Sequence, residues 1–379
     1  KLLVGADGMP VTPADGNGLN PLLQDPWMTI HPPIMFFGFA SLGIPAAYAM
    51  AALVKEDWDS WVRRSIPWTI FGIAGLGTGL VLGGYWAYSI LGWGGFWGWD
   101  PVENSSLVPW LIAVALLHTL VIQQKRGIFR RLNLLVSILP FVLVTYSTFL
   151  TRSGVLADFS VHSFTDLGIN QFLVAFMAVF LGGGLILFAY KFRRIPVDKA
   201  QAPFWSREYF MFLGSLVFGL LGLIVLIGTS APILTRLWGP PSNVQPEFYN
   251  QMAQPFAVAM GLLLGLAPYL IWNRADLGGL ARKIRWPALV IAISLYLVRL
   301  LVFGLQGEPN ALTALESMSW MLAILGFGSL YLNQPSPSLG YLSKAVYPVY
   351  IVHLPIQFAI AYVLLPITLP AYAKLALLL

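Results

Sequence analysis

Residues 169–190 read INQFLVAFMAVFLGGGLILFAY, twenty-two positions without one charged side chain. At 1.5 Å per residue this run makes a helix of about 33 Å, long enough to cross the ~30 Å hydrocarbon core of a bilayer. Carried outward, the same reading finds apolar runs at 34–54, 67–90, 107–124, 132–150, 209–230, 253–273, 286–306, 314–333 and 343–366, with a short stub at 367–379. Composition agrees. Of the 379 residues, 58% are hydrophobic and 10% charged, against about 25% charged in a soluble domain. A mean hydropathy of +0.74 excludes disorder as well as an ordinary soluble enzyme or binding module. The sequence predicts an all-α, polytopic transmembrane helix bundle of about ten or eleven spans. Lys1 and the closing leucines look cut from something longer. Residues 1–33, polar and turn-rich (Pro10, Pro13, Gly16, Gly18, Pro21), do not read as a signal peptide.

The net charge of +6 reflects topology rather than nucleic-acid binding. If residues 1–33 lie outside and each run crosses once, 17 of the 22 basic residues fall on inside segments, within Lys55–Arg64, Lys125–Arg131, Lys191–Arg207, Arg274–Arg285 and at Lys344. Lys1, Arg152, Arg236 and Lys374 fall outside, and Arg299 lies within a span. Inside segments of membrane proteins collect Lys and Arg, so this bias sets the orientation. The N-terminal segment and the loops 91–106, 151–168 and 231–252 then share the outer face.

That face is acidic and aromatic. It carries Asp100, Glu103, Asp158, Asp166 and Glu247, with Trp93, Trp97, Trp99 and Trp110 gathered in one loop and its helix start. Scattered tryptophans such as Trp58, Trp61 and Trp205 read as an interfacial belt. The stretch WGGFWGWD at 93–100 does not, because a belt needs neither glycines between its rings nor an acid after them. Alternating glycine and aromatic residues let the backbone fold closely, so that flat side chains line a shelf suited to a flat hydrophobic ring. Asp100 and Glu103 could orient a ligand, but as acids in a first turn they read first as caps of a helix beginning near Ser105.

The chain has no cysteine, so it forms neither a disulfide nor a thiolate metal site, and the four histidines become the candidate ligands. His31 and His162 lie at the outer ends of the first and fourth spans. Pro32-Pro33 after His31 stiffens its approach to the membrane, and a polar turn, Thr151–Val155, precedes His162. The pair could clamp a metal from both sides. His118 and His353 lie inside spans, about 16 Å and about 20 Å from the outer ends by helical rise, at similar depth on antiparallel helices. Such histidines serve either in helix–helix hydrogen bonds or as a functional site. Imidazole is a standard ligand of haem iron.

At 93–110, WGGFWGWDPVENSSLVPW resembles the tryptophan-rich "WWD" signature of the haem-handling proteins of cytochrome c maturation. Over about residues 1–285 the chain is similar to the CcmF/NrfE/CycK family, the haem-lyase component of the bacterial system I pathway. GLNPLLQ at 18–24, WMTIHPP at 27–33, TFLTRSGV at 148–155 and FYNQMAQP at 248–255 carry the rest of the likeness. The resemblance implies a multi-pass protein of the bacterial inner membrane whose working face is periplasmic. It divides the chain into a periplasmic N-terminal segment (1–33), a haem-handling membrane domain (34–285) with its WWD loop at 91–106, and C-terminal helices (286–379) of open affiliation. It implies that His31 and His162 ligate a transient periplasmic haem resting on Trp93, Trp97, Trp99 and Trp110 beside Asp100. His118 and His353 would hold a permanent transmembrane b-type haem, bis-His, as an electron relay. The implied partners are apocytochrome c with its Cys-x-x-Cys-His segment, a haem chaperone, other maturation subunits and the lipid bilayer, and no nucleic acid.

YIVHLP at 350–355 resembles the family's late His-bearing segment. From about 310, however, the chain more nearly resembles the last helices of integral membrane acyltransferases. The family's first few spans and a large late periplasmic domain are not found in these residues. Three functions follow for test. The first is a haem lyase. The second is a membrane acyltransferase, supported only after 310 and without that class's early His-bearing motif. The third is a transporter, for which Arg299 and the glycines 182–184 speak, although no internal repeat is visible.

Overall fold

The computed structural model describes residues 18–280, apart from 92–94, 161, 165, 167, 199–201, 273, 275–277 and 279. Trp93, His353, Arg299 and the three spans expected from 286 onward lie outside the described residues.

All regular structure among the described residues is helical: α1 (Pro26–Lys55), α2 (Ser60–Trp86, continued by a π turn at Ala87–Leu91), α3 (Pro101–Arg126), α4 (Arg130–Val136), α5 (Leu139–Arg152), α6 (Asn170–Lys191), α7 (Arg207–Thr229), α8 (Ala231–Thr235) and α9 (Pro246–Leu266). Seven stretches are long and apolar enough to cross a membrane, with α4 and α5 counted as one. They are the first seven spans expected from the sequence. The break between α4 and α5 has a local cause. Pro140 has no N–H to offer the carbonyl of Val136, and it sits instead in the first turn of α5, where none is needed.

Two boundaries differ from the expectation. Helix α1 starts at Pro26, so His31, Pro32 and Pro33 lie within it rather than in a stiffened approach. The Asp25 carboxylate accepts the Trp27 N–H at 2.9 Å and Pro26 occupies the first turn, which nucleates the helix ahead of the apolar run. Helix α3 starts at Pro101 rather than near Ser105, for a similar reason given below. Basic residues collect at the end of α1, the start of α2, the end of α3, the start of α4, the end of α6 and the start of α7. That alternation is what helices crossing in turn require.

The chain forms two compact units. One comprises residues through Ala113, Arg131–Ile195 and Val225–Pro246; the other comprises Val114–Arg130, Pro196–Ile224 and the residues from Glu247 on. In the first, α1 and α2 approach almost backbone to backbone. A Cβ on Gly79 would stand 2.8 Å from Met35 Cα, one on Gly75 3.2 Å from Gly38 Cα, and one on Gly72 2.7 Å from Leu42 Cδ2. Positions 72, 75, 79 and 83 share one helical face, and small residues are what allow such contact where water gives no hydrophobic drive. Phe39, Leu42, Leu76, Ala113 and Val144 fill the adjoining core. Glu56, just past α1, accepts Lys191 at 2.8 Å and Arg194 at 2.5 Å. Hydrogen bonds from these two cations hold its carboxyl below the usual range.

In the second unit Ile122, Ile128 and Met211 form a core against which Phe129 stacks on Phe212, ring centroids 4.9 Å apart. Glu208 is fully buried and paired with Arg126 at 3.2 Å. The Arg207 guanidinium donates to the carbonyls of Pro268 and Leu270, tying the start of α7 to the chain after α9.

Candidate functional site

The loop before α3 is built by its own polar side chains. Asp100 Oδ1 accepts the N–H of Val102 at 2.8 Å, and Glu103 Oε2 accepts the N–H of Asp100 and of Gly98, each at 3.1 Å. This is a reciprocal capping box, which satisfies the orphan donors of a helix start and explains why α3 begins at Pro101. Trp99 adopts φ 55°, a left-handed conformation that costs a bulky residue about 1–3 kcal/mol. Asn104 Nδ2 secures that turn by donating to the Trp99 carbonyl at 3.1 Å. The result sets Trp97 and Trp99 edge to face, with centroids 6.2 Å apart. Phe96 lies flat on Tyr88 at 4.3 Å, which pins the loop to the end of α2. The Trp97 indole N–H is buried and has no acceptor among the described residues.

Asp100 does more than cap α3. Besides capping α3, its Oδ1 accepts the Ser160 hydroxyl at 2.8 Å and lies 3.3 Å from His162 Nδ1. The loop bearing His162 folds back on α5: the Phe164 N–H donates to the Thr151 carbonyl at 2.9 Å, and Arg152 lies 4.1 Å over the Phe164 ring. Gly154 makes the turn with φ 71°, where a Cβ would press on Asp166. Burial disfavours the charge on both His162 and Asp100, but their mutual pairing outweighs it. The imidazole is held above its ordinary pKa by Asp100, helped by Glu103. The carboxyl is held below its own by His162, Ser160 and the Val102 N–H.

His31 stands in the second turn of α1. Its Nδ1 is 2.7 Å from the Trp27 carbonyl, and its ring stacks on Trp86 at 5.8 Å. Gly83, last of the glycine face of α2, leaves room for it, since a Cβ there would lie 3.2 Å from His31 Cδ2. Trp86 is itself fixed by donating from Nε1 to the Leu22 carbonyl. The imidazoles of His31 and His162 stand within electrostatic reach of each other. The first unit therefore brings together His31, His162 and Asp100, with Trp97 and Trp99 on the same loop as Asp100.

The other expected residues have different places. Trp110 packs against the core of the first unit, its Nε1 donating to the Ile73 carbonyl at 3.1 Å, with Gly77 making room. In the second unit His118 bonds through Nδ1 to the Val114 carbonyl at 2.7 Å and faces Phe218, ring centroids 6.2 Å apart. Gly214, one turn from Phe218, is buried, and a Cβ on it would meet nothing within 4 Å among the described residues. Its expected partner, His353, lies outside the described residues.

These features fit a haem. A carbonyl can only accept, so Nδ1 of His31 and of His118 must carry the proton, and the Asp100 carboxylate favours the same tautomer in His162. An imidazole protonated at Nδ1 carries its lone pair on Nε2, the form in which it can ligate iron. A bare ion bound by protein wants three or four side-chain ligands, whereas porphyrin iron needs one or two. Among the described residues no group of three or more His, Cys, Asp or Glu side chains is placed to hold an ion. The buried Trp97 N–H, unpaired among the described residues, could donate to an acceptor on a ligand.

Comparison with known proteins points the same way. Residues 2–156 match the family model described as cytochrome C assembly protein. The cytochrome c-type biogenesis protein CcmF of Pseudomonas aeruginosa is 44% identical over 270 residues, 70% of this chain and 40% of that protein. CcmF of Escherichia coli is 37% identical over 330 residues, 86% of this chain and 50% of that protein. The chain belongs to the CcmF family. A solved structure titled cytochrome c heme lyase CcmF superposes with a TM-score of 0.63 at 30% identity, covering 88% of this chain and 51% of its own. The chain thus spans about half the length of the CcmF proteins it matches. An alignment over 330 residues also reaches past residue 285, into the segment whose affiliation the sequence left open.

Three residues that contact the candidate side chains were not legible in the sequence: Trp86 and Ser160 in the first unit and Phe218 in the second. The Gly83-Gly84-Tyr85-Trp86 string repeats the glycine–aromatic pattern of the WWD loop and could have flagged Trp86. A lone serine and a lone span phenylalanine give no such signal.

Proposed function

We propose that the chain presents haem for covalent attachment to apocytochrome c at the periplasmic face of the bacterial inner membrane, as a cytochrome c haem lyase. The observation that carries this reading is the convergence, in one unit, of His31, His162 and Asp100, with the edge-to-face pair Trp97 and Trp99 on the same loop as Asp100. Bound haem supplies the vinyl groups to which the Cys-x-x-Cys-His thiols add. His31 on α1 and His162 on the loop after α5 would hold the haem through their imidazoles. Asp100 would hold the proton on His162 Nδ1 and so raise the basicity of the imidazole as a ligand. Trp97 and Trp99 give apolar faces, and the Trp97 N–H offers a donor to a carboxylate or carbonyl on the bound molecule. The chain's contribution to rate is orientation. His118, with His353 by resemblance, would hold the transmembrane b-type haem, with Phe218 and Gly214 as the wall on α7. A haem chaperone and other maturation subunits would deliver the substrates.

The absorption spectrum of the purified protein tests this. A Soret band with low-spin bis-His features is expected, and an acyltransferase or an ordinary transporter would show none. His118→Ala should remove the low-spin signal more completely than His162→Ala, because a haem in the membrane has no replacement ligand whereas an outer site can recruit water. An unchanged spectrum in His118→Ala would mean that this residue holds no haem.

A further inference from the structure

Ser160 sits where the two halves of the outer site meet. Its hydroxyl donates to Asp100 Oδ1 at 2.8 Å, and its oxygen accepts the backbone N–H of His162 at 3.1 Å. Asp100 is 60 residues away in sequence and cannot move freely, because Glu103 Oε2 clamps its N–H and that of Gly98. A continuous set of hydrogen bonds therefore runs from the tryptophan loop through Asp100 and Ser160 to the backbone of His162. We infer that Ser160 is a positioning residue: it fastens the His162 loop to the α3 capping box, so that the imidazole stands against Asp100 with the proton on Nδ1. The inference rests on the reading of His162 as a ligand. It adds that the ligand and the tryptophan shelf form one unit, coupled through a serine hydroxyl.

The test compares Ser160→Thr with Ser160→Val, two side chains of one shape that differ in the hydroxyl. The haem-free protein, labelled with ¹⁵N in its four histidine rings, is studied by NMR at a pH where the ring is neutral. The His162 signals are assigned by their loss in His162→Gln. The wild type and Ser160→Thr should show a pyrrole-type Nδ1 and a pyridine-type Nε2. In Ser160→Val the ratio of the two tautomers should fall roughly tenfold, the consequence of losing one hydrogen bond to a charged group. Adding Ser160→Val to Asp100→Asn should change the ratio little further, since the serine acts through the carboxylate. Equal spectra for the Thr and Val variants, or a wild type with the proton on Nε2, would overturn the inference. A second measurement separates it from the function it rests on. If His162→Ala leaves the haem spectrum unaltered, the ligand reading fails whatever the tautomer data say. If the ligand reading holds, Ser160→Val should shift the outer haem partly to high spin at unchanged protein level, and Ser160→Thr should not.

Discussion

The tryptophans of the loop do different work despite sharing one motif. Trp110 is used up by the core, where its indole N–H already has the Ile73 carbonyl. Trp97 and Trp99 are only half-buried and contribute little to a helix bundle, yet Trp99 is held in a left-handed conformation. Strain of that kind persists where surroundings over-determine it, here the Asn104 bond and the capping box. Replacing Trp97 and Trp99 together by Ala should abolish cytochrome c maturation while leaving the protein inserted and abundant. Each ring gives on the order of 0.5–1.5 kcal/mol of stacking beyond area burial, so haem capture should weaken by roughly one to two decades. Excess haem should then partly restore maturation, and it should restore His31→Ala less well, because that change removes an iron ligand rather than contact area. Normal maturation in the double variant would reduce these rings to interfacial anchors.

At the scale of elements, the α1–α2 pair sets where His31 can be. His31 and Met35 are one turn apart on α1, and Met35 rests on Gly79 as His31 rests near Gly83. Gly79→Val would force side-chain atoms into the Met35 backbone, an overpacking cost of roughly 1–3 kcal/mol. The expected result is a lower Tm in detergent together with loss of low-spin haem at the outer site, as α1 is pushed off its register. Gly182→Val, on a part of α6 where an added Cβ meets nothing, should leave both unchanged. Equal behaviour of the two variants would show that the close approach does not govern His31.

At the scale of the molecule, orientation follows from charge. Lys55, Arg63, Arg64, Lys125, Arg126, Arg130 and Arg131 lie at the same ends of successive helices, opposite to the ends that carry His31, Asp100 and His162. A reporter fused after Arg131 should read cytoplasmic, and one fused at Asp158 should read periplasmic. The reverse pattern would place the site on the wrong side for a periplasmic reaction.

The first seven spans, their alternation and the identity of the histidines and tryptophans were fixed in the sequence, because apolar length and basic flanks are local properties that need no partner. Helix starts were misplaced by several residues where a polar cap, Asp25 or Asp100, begins the helix before the apolar run does. The joining of residues far apart in the chain was decided only by the tertiary structure. His31 on Trp86, Ser160 on Asp100 and Phe218 against His118 depend on helix register, and register comes from how glycine faces and caps fit in three dimensions. A periodic apolar run says that a helix crosses the membrane. It does not say which of its faces meets which neighbour.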